Sequence, residues 1–86
     1  MIKLIIILTK NDCPMCNKLK LYMEHALTNE QLSNIQIVKQ EENEDLFKQL
    51  VLKHIILTVP TAILNDNVYH SVTPAILNKL LKKINA

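Results

Sequence analysis

Cys13 and Cys16 are the two cysteines of the chain, with Pro14 and Met15 between them. Two thiols three residues apart can face each other across the first turn of a helix and close a small disulfide ring. Unpaired backbone N–H groups at such a helix start stabilise a thiolate. Cysteines in this arrangement point to thiol–disulfide exchange. Cys13, at the extreme end, is the expected nucleophile. A free thiol with a pKa near 8.5 is only about 3% ionised at pH 7, and lowering that pKa to roughly 6 makes it about 90% thiolate. Cys16, one turn further along, is expected to be the less exposed and to resolve a mixed disulfide on Cys13. Pro14 sets the helix start without a competing donor. Met15 adds adaptable apolar surface beside the thiol. Asp12 can cap the helix, but its charge opposes ionisation of Cys13, against the helix terminus and nearby cations.

The elements that must hold this pair follow from the apolar pattern. Lys3 to Thr9 contains Leu4, Ile5, Ile6, Ile7 and Leu8 in succession. A short, β-branched, nearly unbroken run reads as a strand covered on both faces. Cys13 then flanks a helix whose first position is Pro14. Cys16, Leu19, Met23, Ala26 and Leu27 carry it at helical spacing to about residue 28. Thr28 to Asn34 reads as a polar connection and Ile35 to Lys39 as a second strand. A helix from Glu44 to Lys53 buries Leu46, Phe47, Leu50 and Val51, and Leu52 to Leu57 is ambiguous between helix end and loop. Thr61 to Leu64 and Asn67 to His70 form a hairpin. Thr73 caps a last helix that starts at Pro74 and buries Leu77, Leu80, Leu81 and Ile84. The order β-α-β-α-β-β-α predicts a four-stranded mixed sheet with flanking helices, an α/β fold.

Composition narrows the function classes. The chain of 86 residues is 49% hydrophobic, which predicts one globular domain over residues 1–86. It contains no glycine, so turns that need positive φ fall to asparagine and aspartate, as in Asn65-Asp66-Asn67. A net charge of +2 with dispersed lysines argues against a nucleic-acid partner, and Lys79, Lys82 and Lys83 suit a solvated helix end. The apolar run at the start is too short for a secretion signal, and nothing approaches a membrane span of roughly 18 residues. A cytoplasmic monomer without a membrane or nucleic-acid partner is the expectation. In a reducing compartment a lone cysteine pair is catalytic rather than a staple. His25, His54 and His70, with Tyr22 and Tyr69, do not add to the site.

Taken together, Lys10, Cys13-Pro14-Met15-Cys16 and Thr58-Val59-Pro60 resemble the glutaredoxins, within the wider thioredoxin-fold family. The resemblance extends over almost the whole chain, because the order of elements agrees. It implies a thioredoxin-like fold of glutaredoxin type. It also implies a disulfide reductase acting through Cys13 and Cys16 on a disulfide-bearing protein or small molecule. In that family the proline matching Pro60 is cis and faces the dithiol, and the residue matching Val59 offers backbone groups to peptide or glutathione. Lys10, Pro14, Met15, Thr58, Val59, Pro60 and Thr73 are the substrate-binding residues it implies, with no metal.

The chain departs from the pattern in three places. Met15 stands where an aromatic is common. The Gly-Gly pair after the fourth strand is replaced near His70-Ser71-Val72. The acidic residue that follows, which helps hold the glutathione amino group, is missing. Thr73 and Pro74 still prepare a helix N-terminus that can accept a carboxylate. Glutathione is therefore expected as a reducing cosubstrate rather than a tightly bound cofactor, with a thioredoxin-reductase-type enzyme as the other candidate donor. The competing class is a soft-metal or iron–sulfur carrier using the same two thiols. The expected closing helix, Pro14 and Pro60 weigh against it.

Overall fold

The computed structural model describes residues 5–85. Its elements are β1 (Ile5–Thr9), α1 (Pro14–Ala26), α2 (Asn29–Leu32), β2 (Ile35–Lys39), α3 (Glu44–His54), β3 (Thr61–Leu64), β4 (Asn67–Tyr69) and α4 (Pro74–Asn85). The sheet runs β2-β1-β3-β4. β1 pairs parallel with β2 and antiparallel with β3, and β3 pairs antiparallel with β4. The mixed sheet and flanking helices are those expected. The expected strand residues Lys3 and Leu4 lie outside the described residues.

The unbroken apolar run of β1 has a simple cause. Successive side chains point to opposite faces, and helices cover both. Ile5 and Ile7 join Ala62 and Leu64 of β3 beneath Leu19 and Met23 of α1 and Leu77, Leu80 and Leu81 of α4. Leu8 joins Val38, Ile63 and Ile56 beneath Phe47 of α3, with Ile6 half-buried among them. Fully burying one such aliphatic side chain contributes about 1.5–3 kcal/mol. These two layers fix the height of β1, and so the place where the chain leaves it for the cysteines.

Three boundaries differ from expectation. The stretch Thr28 to Asn34 is not a plain connection. The Thr28 hydroxyl accepts the Gln31 N–H at 3.1 Å, and the Gln31 side chain accepts the Thr28 N–H at 2.9 Å. This capping box closes α2 and ends α1 at Ala26. β4 stops at Tyr69, one residue before His70. α3 runs to His54, where Ile55 adopts a left-handed conformation, φ 52° and ψ 57°. Its N–H and that of Ile56 both return to the Val51 carbonyl. A β-branched residue there costs about 1–2 kcal/mol, and the Ile55 side chain is exposed. The hairpin between β3 and β4 is as read: Asn65 and Asp66 both take positive φ, 51° and 66°. Paired positive φ makes a two-residue hairpin turn that matches strand twist, here without glycine.

Candidate active site

The end of β1 delivers the chain into a tight reversal. Asp12 is left-handed, with φ 55°, and Cys13 returns to extended backbone at φ −119°. Pro14 begins α1 directly after it. Cys13 is thus the residue that caps the helix: its Sγ accepts the Cys16 N–H at 3.1 Å, and its carbonyl accepts the Asn17 N–H at 3.0 Å. Asp12 does not serve as the cap, because its left-handed backbone places it one residue outside the turn. No acidic residue lies in the first turn of α1, and Asp12 immediately precedes its cap.

Cys13 and Cys16 are joined as a disulfide with their Cα atoms 5.2 Å apart. They are almost equally buried, at 6% and 5% exposure. The expected contrast between them is absent, because closure of the ring turns both sulfurs into the same small volume. Cys13 Sγ lies 4.0 Å from the Val59 carbonyl oxygen. The Val59–Pro60 bond is cis, as the resemblance implied, and Pro60 is buried. Its neighbours hold the segment in place. The Thr58 carbonyl accepts the Thr61 hydroxyl at 2.5 Å, and the Pro60 carbonyl accepts the Val72 N–H at 2.9 Å.

Two clefts flank this centre. The first, about 410 Å³, is lined by Lys10, Gln40, Phe47, Val51 and the run Ile56 to Val59. The second, about 210 Å³, reaches Cys16 and is bordered by Thr9, Asn11, Asn17, Met23 and Ile37, with Lys10, Lys20 and Lys39. Lys10 borders both. The exposed backbone N–H of Asn11 donates to the Glu41 carboxylate, tying the loop before the cysteines to the loop before α3.

Of the residues expected to bind substrate, Lys10, Thr58 and Val59 share the first cleft. Pro14 and Met15 lie exposed on the turn that carries the thiols. Pro60 is buried, next in the chain to Val59, whose carbonyl approaches Cys13. Thr73 borders neither cleft. Its hydroxyl accepts the Ile76 N–H at 3.3 Å as the cap of α4, one residue beyond the Val72 link to Pro60. The sequence reading missed Phe47, Val51 and Leu57 as cleft residues, since the first two were assigned wholly to the core. It also missed Lys20, although a lysine four residues after Cys16 on one helix was a usable signal.

A dithiol capping a helix against a cis-proline segment, on a sheet ordered β2-β1-β3-β4, defines a thioredoxin-like domain. The chain belongs to that family: the sequence profile described as Thioredoxin domain matches residues 3–82. Two solved structures share the fold. A thioredoxin from Thermus thermophilus aligns with a TM-score of 0.66 at 13% identity, over 98% of this chain and 74% of that one. A variant of the thioredoxin-like protein BC3987 aligns with a TM-score of 0.62 at 15% identity, over 95% of this chain and 99% of that one. No curated protein matches the sequence. Fold and paired cysteines together indicate redox function. No helix among the described residues is long and apolar enough to cross a membrane.

Proposed function

We propose that this protein is a thiol–disulfide oxidoreductase of glutaredoxin-like type, reducing protein or small-molecule disulfides through Cys13 and Cys16. The observation that carries this reading is the placement of Cys13. Its sulfur accepts the Cys16 N–H at the start of α1 and lies 4.0 Å from the Val59 carbonyl. The helix terminus stabilises a Cys13 thiolate. A substrate laid along Val59 brings its disulfide to that sulfur. Cys13 attacks, a mixed disulfide forms, and the first substrate thiolate leaves. Cys16 then gives up its proton to solvent and attacks Cys13 Sγ. The Cys13–Cys16 bond closes and the second substrate thiolate departs. Two electrons pass from the dithiol to the substrate, and a reductant returns them.

Glutathione serves here as a cosubstrate with weaker recognition than in a typical glutaredoxin. The missing acidic residue removes one charged contact. Such a loss costs about 1.5–3 kcal/mol, roughly tenfold or more in affinity. Thr73 and Pro74 offer partial compensation at the start of α4. A thioredoxin-reductase-type enzyme is the alternative electron source, and the protein works as a cytoplasmic monomer. Insulin reduction tests the chemistry. Cys13→Ser abolishes turnover, and Cys16→Ser accumulates a mixed disulfide visible by mass spectrometry. Normal reductase activity of Cys13→Ser overturns the mechanism. Turnover with glutathione and glutathione reductase, against NADPH and thioredoxin reductase, identifies the donor. Tight glutathione binding with efficient glutathione-only turnover overturns the weakened recognition.

A further inference from the structure

The sulfur-bearing residues of α1 and its cap are unequally accessible. Cys13, Cys16 and Met23 are 6%, 5% and 3% exposed, whereas Met15 is 44% exposed. The two cysteines are closed on each other as a disulfide. Met23 belongs to the buried layer of Leu19, Leu77 and Leu80. Met15 belongs to neither buried layer and borders neither cleft beside the dithiol. Among the described residues, it is the sulfur-bearing side chain left open to solvent once the dithiol has closed.

A hydroperoxide acts on these groups in a fixed order. In the reduced protein it meets the Cys13 thiolate first. The resulting sulfenic acid condenses with the Cys16 thiol, releasing water and closing the ring. Met15 is the next target, because a thioether needs no ionisation. Its sulfur gives an electron pair to one peroxide oxygen, the O–O bond breaks and an S–O bond forms. The departing oxygen takes a proton from solvent and leaves as water or alcohol. Sulfur is oxidised by two electrons and the peroxide is reduced by two. A dithiol reductant reopens the ring, whereas the sulfoxide persists until a methionine sulfoxide reductase removes it.

We propose that Met15 is a site of reversible oxidation whose sulfoxide weakens the docking of disulfide-bearing proteins. The inference rests on the dithiol-exchange reading for its consequence but not for the modification. Met15 stands two residues from Cys13, within about 7 Å of it. One side of a standard protein interface covers about 800 Å², a patch of roughly 16 Å radius. A protein whose disulfide reaches Cys13 therefore covers Met15 as well. Oxidation turns that flexible apolar side chain into a polar, chiral one. A small disulfide that reaches the sulfur alone loses little. The core stays closed, as it would not if Met23 were the residue oxidised.

Hydrogen peroxide treatment of the closed disulfide form, followed by peptide mapping, tests the site. Met15 gains one oxygen before Met23 does. Dithiothreitol then reopens the dithiol and leaves the sulfoxide in place. For insulin, kcat/KM falls roughly threefold to tenfold, the loss of about half of a methionine's apolar contact. For cystine it holds. Methionine sulfoxide reductases A and B restore the insulin rate. Met15→Leu, compared with itself before and after peroxide, keeps its insulin rate although Met1 and Met23 remain. Oxidation of Met23 as early as Met15 overturns the proposal. So does an insulin rate unmoved by the sulfoxide, an equal fall for cystine, or the same loss in Met15→Leu. Untreated protein that reduces neither disulfide sinks the exchange reading, and the order of oxidation in the map still decides the Met15 site.

Discussion

Beneath α1 and α4 the sheet buries Ile5, Ile7, Ala62 and Leu64 against Leu19, Met23, Leu77, Leu80 and Leu81, all at or below 4% exposure. On the opposite face α3 covers the sheet alone. Phe47 is its one buried residue, and Leu46, Leu50 and Val51 are half-buried. Past its end, Ile55 and Leu57 stand 74% and 86% exposed, and Leu52 is 70% exposed. The less covered face is the one that carries the larger cleft and leads into Val59 and Pro60. Stability is concentrated on one side of the sheet, and accessible apolar surface beside the dithiol on the other. A surface that must receive a partner cannot also be sealed by its own chain.

The sharpest way to break this contrast is to cut into the sealed side. Leu80→Ala removes a buried side chain between α4 and the sheet. It is expected to cost about 2–5 kcal/mol, lowering Tm by roughly 10 °C or more. A calorimetric loss below about 1 kcal/mol would show that this face is looser than its burial indicates. Ile55→Gly acts in the other direction. It relieves a left-handed β-branched residue whose side chain packs against little. A gain of about 1 kcal/mol is expected from chemical denaturation, and a loss would mean that Ile55 makes contacts its exposure does not suggest.

The smallest stability effect belongs to Leu57→Ser, within about 0.5 kcal/mol. Its consequence falls on docking: kcat/KM drops for disulfide peptides with an apolar residue beside the cysteine and holds for a small hydrophilic disulfide. Equal kinetics on both substrates would detach Leu57 from the site.

The same contrast explains which parts of the chain were legible in advance. β1 was readable because both its faces are buried, so nothing interrupts the apolar run. α4 was readable because it buries one stripe and solvates the rest. Leu52 to Leu57 was not, since apolar residues left in solvent look like core residues out of phase. α2 escaped notice although Thr28 and Gln31 stand at capping-box spacing; its four residues are too few for periodicity to show. At the site, the thiols, the cap at Cys13 and the role of Pro14 were all local, and local chemistry can be read from order. That Lys10 and Lys39 border one cleft with Cys16 depends on the parallel pairing of β1 with β2, a long-range fact that no window of sequence contains. The near-equal burial of the two cysteines likewise depends on the closed ring.

The order β2-β1-β3-β4 leaves two outer strands, and they are guarded unequally against self-association. β4 is three residues long, too short to template much further pairing. β2 has five residues, and its Ile37 is 40% exposed. Free backbone donors and acceptors along such a margin invite a strand from another molecule. Its polar Gln36 and the charge on Lys39 counter that tendency. In concentrated solution, or while neighbouring segments are transiently open, sheet extension and aggregation would therefore begin at β2, on the margin opposite the hairpin.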